Sequence, residues 1–327
     1  MKRPRNLFVN LFLPLLVIII FGANFIFLKN KHETKEFLRK IGLWEKHSYC
    51  LDVSIAGNLA FTADGLYGFS VYDIFNGRKI SLRDSYPTRR TARGIIAIDS
   101  CIYISDDAAG LTVFRIQEEN MIVSAGSFQT RGIAAALAEK DGLIFVADGY
   151  AGFCIFKILS TGLPDMISHT DTPGEAVRIA VQDTLAYVAD QASGLLVFNI
   201  SDPYKPRMVS QLPGKSDCYD VAVKQQRVYV AFGRAGLQVY DFSDIHNPVL
   251  NDSVPAADYI NSVKIFDHTI YLIDGRAGLK IFSLSESGQT LTEQRSIPLR
   301  GTAYTLDRKD RLVLVATSMG LQAVLPD

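Results

Sequence analysis

The chain is 327 residues long, 48% hydrophobic and 10% aromatic, and its 34 basic residues equal its 34 acidic ones. Four of the bases, Lys2, Arg3, Arg5 and Lys29, fall between Met1 and Lys29, a segment with no acid, so the remainder carries 30 bases against 34 acids. Such a body has the apolar content for a well-buried core, and its net acidity gives no electrostatic case for binding nucleic acid.

Leu11–Leu28 is an 18-residue stretch without a charge, LFLPLLVIIIFGANFIFL. It is long enough to be a spanning candidate and longer than the usual apolar region of a cleaved signal. Lys2, Arg3 and Arg5 precede it, as in a transmembrane signal-anchor helix whose N-terminus stays in the cytoplasm. Residues 1–36 are therefore expected to be a membrane anchor with a short tether, with a cleaved signal as the other reading. Long domains cross largely regardless of their own charge, so the body is expected outside the cytoplasm, periplasmic or at the cell surface.

From there the chain repeats. Gly68, Gly110, Gly152, Gly194, Gly236, Gly278 and Gly320 follow one another at a constant 42-residue interval, without a slip. Each opens a similar apolar segment: GFSVYDI, GLTVFRI, GFCIFKI, GLLVFNI, GLQVYDF, GLKIFSL and GLQAVLP. Alternating apolar places with an aromatic neighbour describe an inner strand buried on both faces. A second strand precedes each glycine, as in LIFVAD and LAYVAD, and a turn of the type Asp-Gly-x-Ala-Gly joins the two. A third apolar strand lies upstream, as in Val177–Gln182, and a more polar fourth lies downstream, as in Arg207–Leu212. Four strands in about 40–45 residues describe a propeller blade. The predicted fold is an all-β, seven-bladed β-propeller of four-stranded blades behind an N-terminal transmembrane helix. It occupies residues 37–327 and is expected to be monomeric.

The marker glycine needs a positive φ or a close approach that excludes a Cβ. Asp64, Asp106, Asp148, Asp190 and Asp274 lie four residues before it in five of the seven repeats. Spread one per blade, they cannot converge on one metal ion, and each is read as capping its own turn.

A ring must join its ends or leave sheet edges open. The last repeat stops at its third strand, and counting 42 back from Lys79–Ser85 reaches Phe37–Leu43. The segment Arg39–Trp44, RKIGLW, has the composition of the missing strand. Residues 37–44 are expected to close the seventh blade.

GLLVFNISDPYKP at Gly194–Pro206 and GLQVYDFSDIHNP at Gly236–Pro248 resemble LVIVD repeats, which occur in β-propellers of bacterial and archaeal surface proteins. The resemblance extends over about residues 49–327 and is loosest in the seventh repeat, where Ala323–Val324 replaces the Val-aromatic pair. It implies an extracytoplasmic propeller and no particular reaction.

No metal, phosphate-cradle or nucleophile-elbow motif is present, and His32, His47, His169, His246 and His268 are scattered. No cofactor and no metal site are expected. Cys50 and Cys218 are four repeats apart, too far for a bond, and all four cysteines, with Cys101 and Cys154, read as buried thiols.

Residues that recur in every blade are scaffold, so specificity should sit where the repeats disagree. Two places before the marker glycine, Arg234 and Arg276 stand in neighbouring repeats where the others carry Leu66, Ala108, Tyr150, Ala192 and Ser318. Sixteen before it, on the channel side, the series is Asp52, Gly94, Ala136, Arg178, Asp220, Ser262 and Tyr304. With Arg89, Arg90 and Arg93 of the first interblade link, these describe a partly basic bowl for an acidic ligand or protein loop. The candidate ligand-binding residues are Arg93, Arg178, Asp220, Arg234, Arg276 and Tyr304. The expected role is non-enzymatic binding of an envelope protein or a glycan. The alternative is a hydrolase or lyase in the channel built from Asp52, Arg178, Asp220 and Tyr304.

Overall fold

The computed structural model describes residues 49–75, 79–118, 121–214, 216–284 and 290–326, together with the backbone of 17–21 and 24–28. It separates into two units, residues 1–47 and residues 48–327.

In the first unit, Val17–Phe21 and Asn24–Leu28 pair as an antiparallel hairpin, with Val17 opposite Leu28 and Phe21 opposite Asn24. The helix expected over Leu11–Leu28 is therefore not shown, and no described helix is long and apolar enough to cross a membrane. The physical reason lies in Val17–Ile20, a β-branched run that suits a strand better than a helix.

The second unit is seven antiparallel sheets in chain order, six of four strands and, among the described residues, a seventh of three. The fourth blade shows the plan: Arg178–Gln182, Leu185–Ala189, Leu195–Asn199 and Arg207–Leu212, paired in that order. The second and third strands are buried on both faces, because the neighbouring blades cover them, and the outer strand is the most exposed. Apolar residues of successive blades share each core. Phe145 and Phe153 of the third blade pack with Ile179 and Val188 of the fourth.

Six of the marker glycines, Gly68 to Gly278, satisfy both expected reasons at once. Gly152 has φ +79°, and a Cβ there would stand 2.2 Å from the Thr170 carbonyl oxygen of the outer strand. No L side chain meets both conditions cheaply.

Consecutive blades are stitched by one recurring bridge, from the turn between strands two and three to the link entering the next blade. Gly65 pairs with Ala92, Asp107 with Ala134, Gly149 with Ala176, Gln191 with Cys218 and Gly233 with Ile260. The same device joins the ends, since the Cys50 N–H donates to the Thr317 carbonyl at 3.0 Å. The Ile55 N–H donates to Asp307 Oδ2 at 2.7 Å, and Leu312, Leu314 and Ala316 pack with Cys50, Val53 and Ala60. The first and seventh blades thus share a core like any other pair. The expected closing strand at 37–44 lies outside the described residues. Beside its place, Leu321 and Gln322 of Gly320–Val324 are only half-buried, where Leu195 and Leu196 of the fourth blade are fully buried.

Candidate functional site

The five repeated aspartates are buried, and they correct the expected local role. Their turns close through backbone hydrogen bonds, as where Asp106 N–H donates to the Gly110 carbonyl and Ala109 N–H to the Asp106 carbonyl, and only Asp190 also takes a side-chain bond within its own turn, from Ser193. Four of the carboxylates reach instead to the link entering their own blade, well upstream in the chain. Asp106 accepts from the Arg89 and Arg90 N–H groups, and Asp148 from those of Arg131 and Gly132. Asp190 accepts from the Gly174 N–H and the Thr172 hydroxyl, and Asp274 from the N–H groups of Ala257, Asp258 and Tyr259. A carboxylate suits these links because each is an irregular, partly buried backbone whose N–H groups have no ladder partner. Among the described residues, no group of His, Cys, Asp and Glu side chains could hold a metal ion. All four cysteines are unpaired and buried.

The throat of the channel uses a second carboxylate device. Asp52 accepts from its neighbour's Val53 N–H and, across the blade boundary, from the Ile95 N–H at 3.1 Å. Asp220 repeats this with the Val221 and Val263 N–H groups and adds the Ser262 hydroxyl at 2.8 Å. Lys264 stands 3.9 Å from Asp220 Oδ2. Burial holds the Asp52 carboxyl above its usual pKa, an effect that the charges of Arg178 and Lys264 partly offset. Both aspartates are thus engaged in holding adjacent blades together, below the channel mouth.

The mouth is a cavity of about 400 Å³ on the face where the turns and interblade links meet. Arg93, Arg178 and Tyr304 line it, joined by Glu175, Tyr219, Tyr259 and Asn261. Arg93 is tied to Asp107 at 2.7 Å. Arg178 has no hydrogen-bond or ion-pair partner among the described residues, although it feels the Asp52 charge. Tyr304 packs edge-on to Tyr49 with ring centres 5.8 Å apart, and burial and that neighbour push its hydroxyl pKa up to about 12. Tyr219 and Tyr259 stand 4.9 Å apart, and the Tyr219 hydroxyl donates to Asp217. Asn261 donates its amide to the Ala303 carbonyl at 2.9 Å, which leaves its buried Oδ1 without a donor. Arg234 and Arg276 do not enter this cavity. They line an adjoining one of about 490 Å³ that shares Tyr259 and Asn261 with it.

Of the six residues expected to bind ligand, the structure brings Arg93, Arg178 and Tyr304 to one cavity and Arg234 and Arg276 to its neighbour. It places Asp220 in the throat. Apart from Arg93, sequence reasoning missed the wall itself, which comes from the residue 17 places before six of the seven marker glycines: Leu51, Arg93, Ala135, Val177, Tyr219 and Asn261. The signal was available, because that column is among the least alike from repeat to repeat. Its neighbour, 16 places before the glycine, supplies both throat and mouth: Asp52 and Asp220 lie in the throat, while Arg178 and Tyr304 reach the mouth.

A profile of the LVIVD repeat matches residues 49–88, 173–212 and 215–255. Among solved structures, a protein from Lactobacillus plantarum is similar with TM-score 0.66 and 15% identity, covering 79% of this chain and 91% of that one. Sqt1 of Saccharomyces cerevisiae is similar with TM-score 0.66 and 8% identity, covering 86% and 97%. The computationally designed protein Ika8 gives TM-score 0.62 and 13% identity, covering 86% and 97%. At these identities the likeness is one of fold alone. No curated protein matches the chain.

Proposed function

From a seven-bladed β-propeller that carries LVIVD repeats, we propose a membrane-anchored interaction module that binds its partner at the channel mouth, outside the cytoplasm. The observation that carries this reading is the convergence at one cavity of an unpaired cation and a cluster of aromatic rings. Arg178 lacks an anion, and Tyr219, Tyr259 and Tyr304 offer ring surface. The acids that a hydrolase or lyase would need are differently placed: Asp52 and Asp220 have their oxygens taken by backbone N–H groups of adjacent blades. The uninterrupted 42-residue period adds no loop over the channel to exclude water. The location outside the cytoplasm rests on the apolar stretch at Leu11–Leu28 and the bases before it.

One experiment tests both parts. A cysteine is placed at Tyr150, 78% exposed on a mouth-face turn, or at Met208, 52% exposed on an outer strand, the native thiols being buried. A membrane-impermeant, photo-activatable cross-linker is then applied to intact cells. Labelling at both positions with an adduct from the Tyr150 position alone is expected. Failure to label either would overturn the location, and adducts from the Met208 position alone would overturn the mouth as the binding face.

A further inference from the structure

The turns that ring the mouth are not alike, and their differences are ordered around the ring. At the two places before the marker glycine, blades five and six present Arg234 and Arg276, each followed by alanine. The next two blades present Ser318–Met319 and Leu66–Tyr67. Met319 is 61% exposed and Leu66 83%. Because the first and seventh blades share a core, these four blades form one uninterrupted arc, basic at one end and aliphatic at the other. The remaining blades offer Ala108, Tyr150 and Ala192 at the first of these places.

The basic end is a built surface. Arg234 and Arg276 line a cavity with Asp258, whose carboxylate accepts from the Arg276 backbone N–H at 2.9 Å, so that the acid is held to the turn. Neither guanidinium has an ion-pair partner among the described residues. Tyr259 and Asn261 continue this cavity into the channel mouth, where Arg178 is unmatched.

Resting on the reading of the mouth as the binding face, we propose that its ligand is an acidic peptide segment bearing aliphatic side chains. Carboxylates of the peptide would meet Arg234, Arg276 and Arg178, whose planar forks suit bidentate pairing. Leucine-like side chains cover Leu66 and Met319, which an acidic glycan has no means to match. The occupant is thus selected by two kinds of chemistry on one arc: charge at blades five and six, apolar area at blades seven and one.

The test is fluorescence anisotropy with the full chain in detergent micelles, protein-free micelles serving as the blank. The probe is a fluorescein-labelled peptide that alternates Asp and Leu. A Lys-Leu peptide, an all-Asp peptide and a labelled oligouronate of similar charge are the comparison arms. The Asp-Leu peptide is expected to bind, more weakly as salt rises, and better than the all-Asp peptide and the oligouronate; the Lys-Leu peptide is not expected to bind. The pair Arg234→Ala and Arg276→Ala should weaken it by about tenfold or more, and the pair Leu66→Ser and Met319→Ser by roughly fivefold. All four residues are at the surface, so each double variant should melt with the parent protein. No binding of the Asp-Leu peptide overturns the inference, as does binding that both double variants leave unchanged. Equal binding of the oligouronate, insensitive to Leu66 and Met319, overturns it in favour of a glycan. If cross-links still form from the mouth face while the peptide fails, this inference falls and the binding face stands; if neither is seen, the binding face falls with it.

Discussion

The latch between turn and link and the mouth of the channel lie on the same face of the ring, yet they are built on opposite rules. In four blades the latch is one solution repeated: a buried aspartate, one to three link N–H groups, and a glycine pressed against an outer-strand carbonyl. The mouth is a set of exceptions, with Arg93, Tyr219 and Asn261 in a column where other blades carry Leu51, Ala135 and Val177. Repetition therefore marks what folding needs, and its failure marks what binding can use.

Even the latch is not uniform, which shows how far local chemistry can vary within one geometry. Burial raises the Asp64 carboxyl to about 7, against the opposing hydrogen bond from the Ser70 hydroxyl at 2.5 Å. Burial also pushes Asp274 up, but the Lys280 ammonium at 2.7 Å and three backbone N–H groups reverse this, and its pKa falls below the usual range. The same residue at the same repeat position is thus an acid that folding favours protonated in one blade and ionised in another.

Three changes to the scaffold put this contrast under strain, while the mouth variants should leave stability alone. The largest effect is expected from deleting residues 37–44. If that segment supplies the fourth strand beside Gly320–Val324, the melting temperature should fall by on the order of 10 °C or more, and an unchanged melt would refute the closure.

Next comes Gly152→Ala, where a positive φ and a carbonyl 2.2 Å from the new Cβ act together. Denaturant unfolding should show a loss of about 3 kcal/mol or more. Gly142→Ala shares the positive φ, +75°, but nothing lies within 4 Å of its Cβ, so a cost of only about 1 kcal/mol is expected. Equal losses would show that backbone conformation, and not the close approach, demands the marker glycine.

The third effect is pH-dependent. With a folded pKa near 7 and an ordinary value when unfolded, Asp64 favours the folded state fully below about pH 4 and progressively less as pH rises to 7. Asn resembles the protonated acid and does not titrate. Asp64→Asn should therefore gain stability relative to the parent protein between pH 4 and pH 8, by about 4 kcal/mol. A constant difference across that range would show that Asp64 stays ionised. Asp274→Asn should move the other way, losing most at neutral pH, where the charge on Asp274 meets Lys280.

Much of the ring was legible in one dimension. The constant 42-residue interval from Gly68 to Gly320 determined the number of blades, because each repeat is one sheet that can bury its faces only against its neighbours. Alternation of apolar residues told the doubly buried strands, such as Leu195–Asn199, from the exposed outer ones, such as Arg207–Leu212. The same count placed the turns and links on one face and drew attention to Arg178, Arg234, Arg276 and Tyr304. Tertiary structure alone decided where each carboxylate is used. Asp106 looked like a turn cap, yet its partners are the N–H groups of Arg89 and Arg90, which are distant in the chain and come near only when the blade has folded. Asp220 and Tyr304 occupy one column of the repeat, yet one is bound in the throat and the other reaches the mouth, because a long ring projects where a short carboxylate is captured by the Val263 N–H. Periodicity fixes where a backbone goes, since every blade obeys the same steric rules. Which side chains remain unmatched depends on contacts between blades, and a repeat read by itself does not contain them.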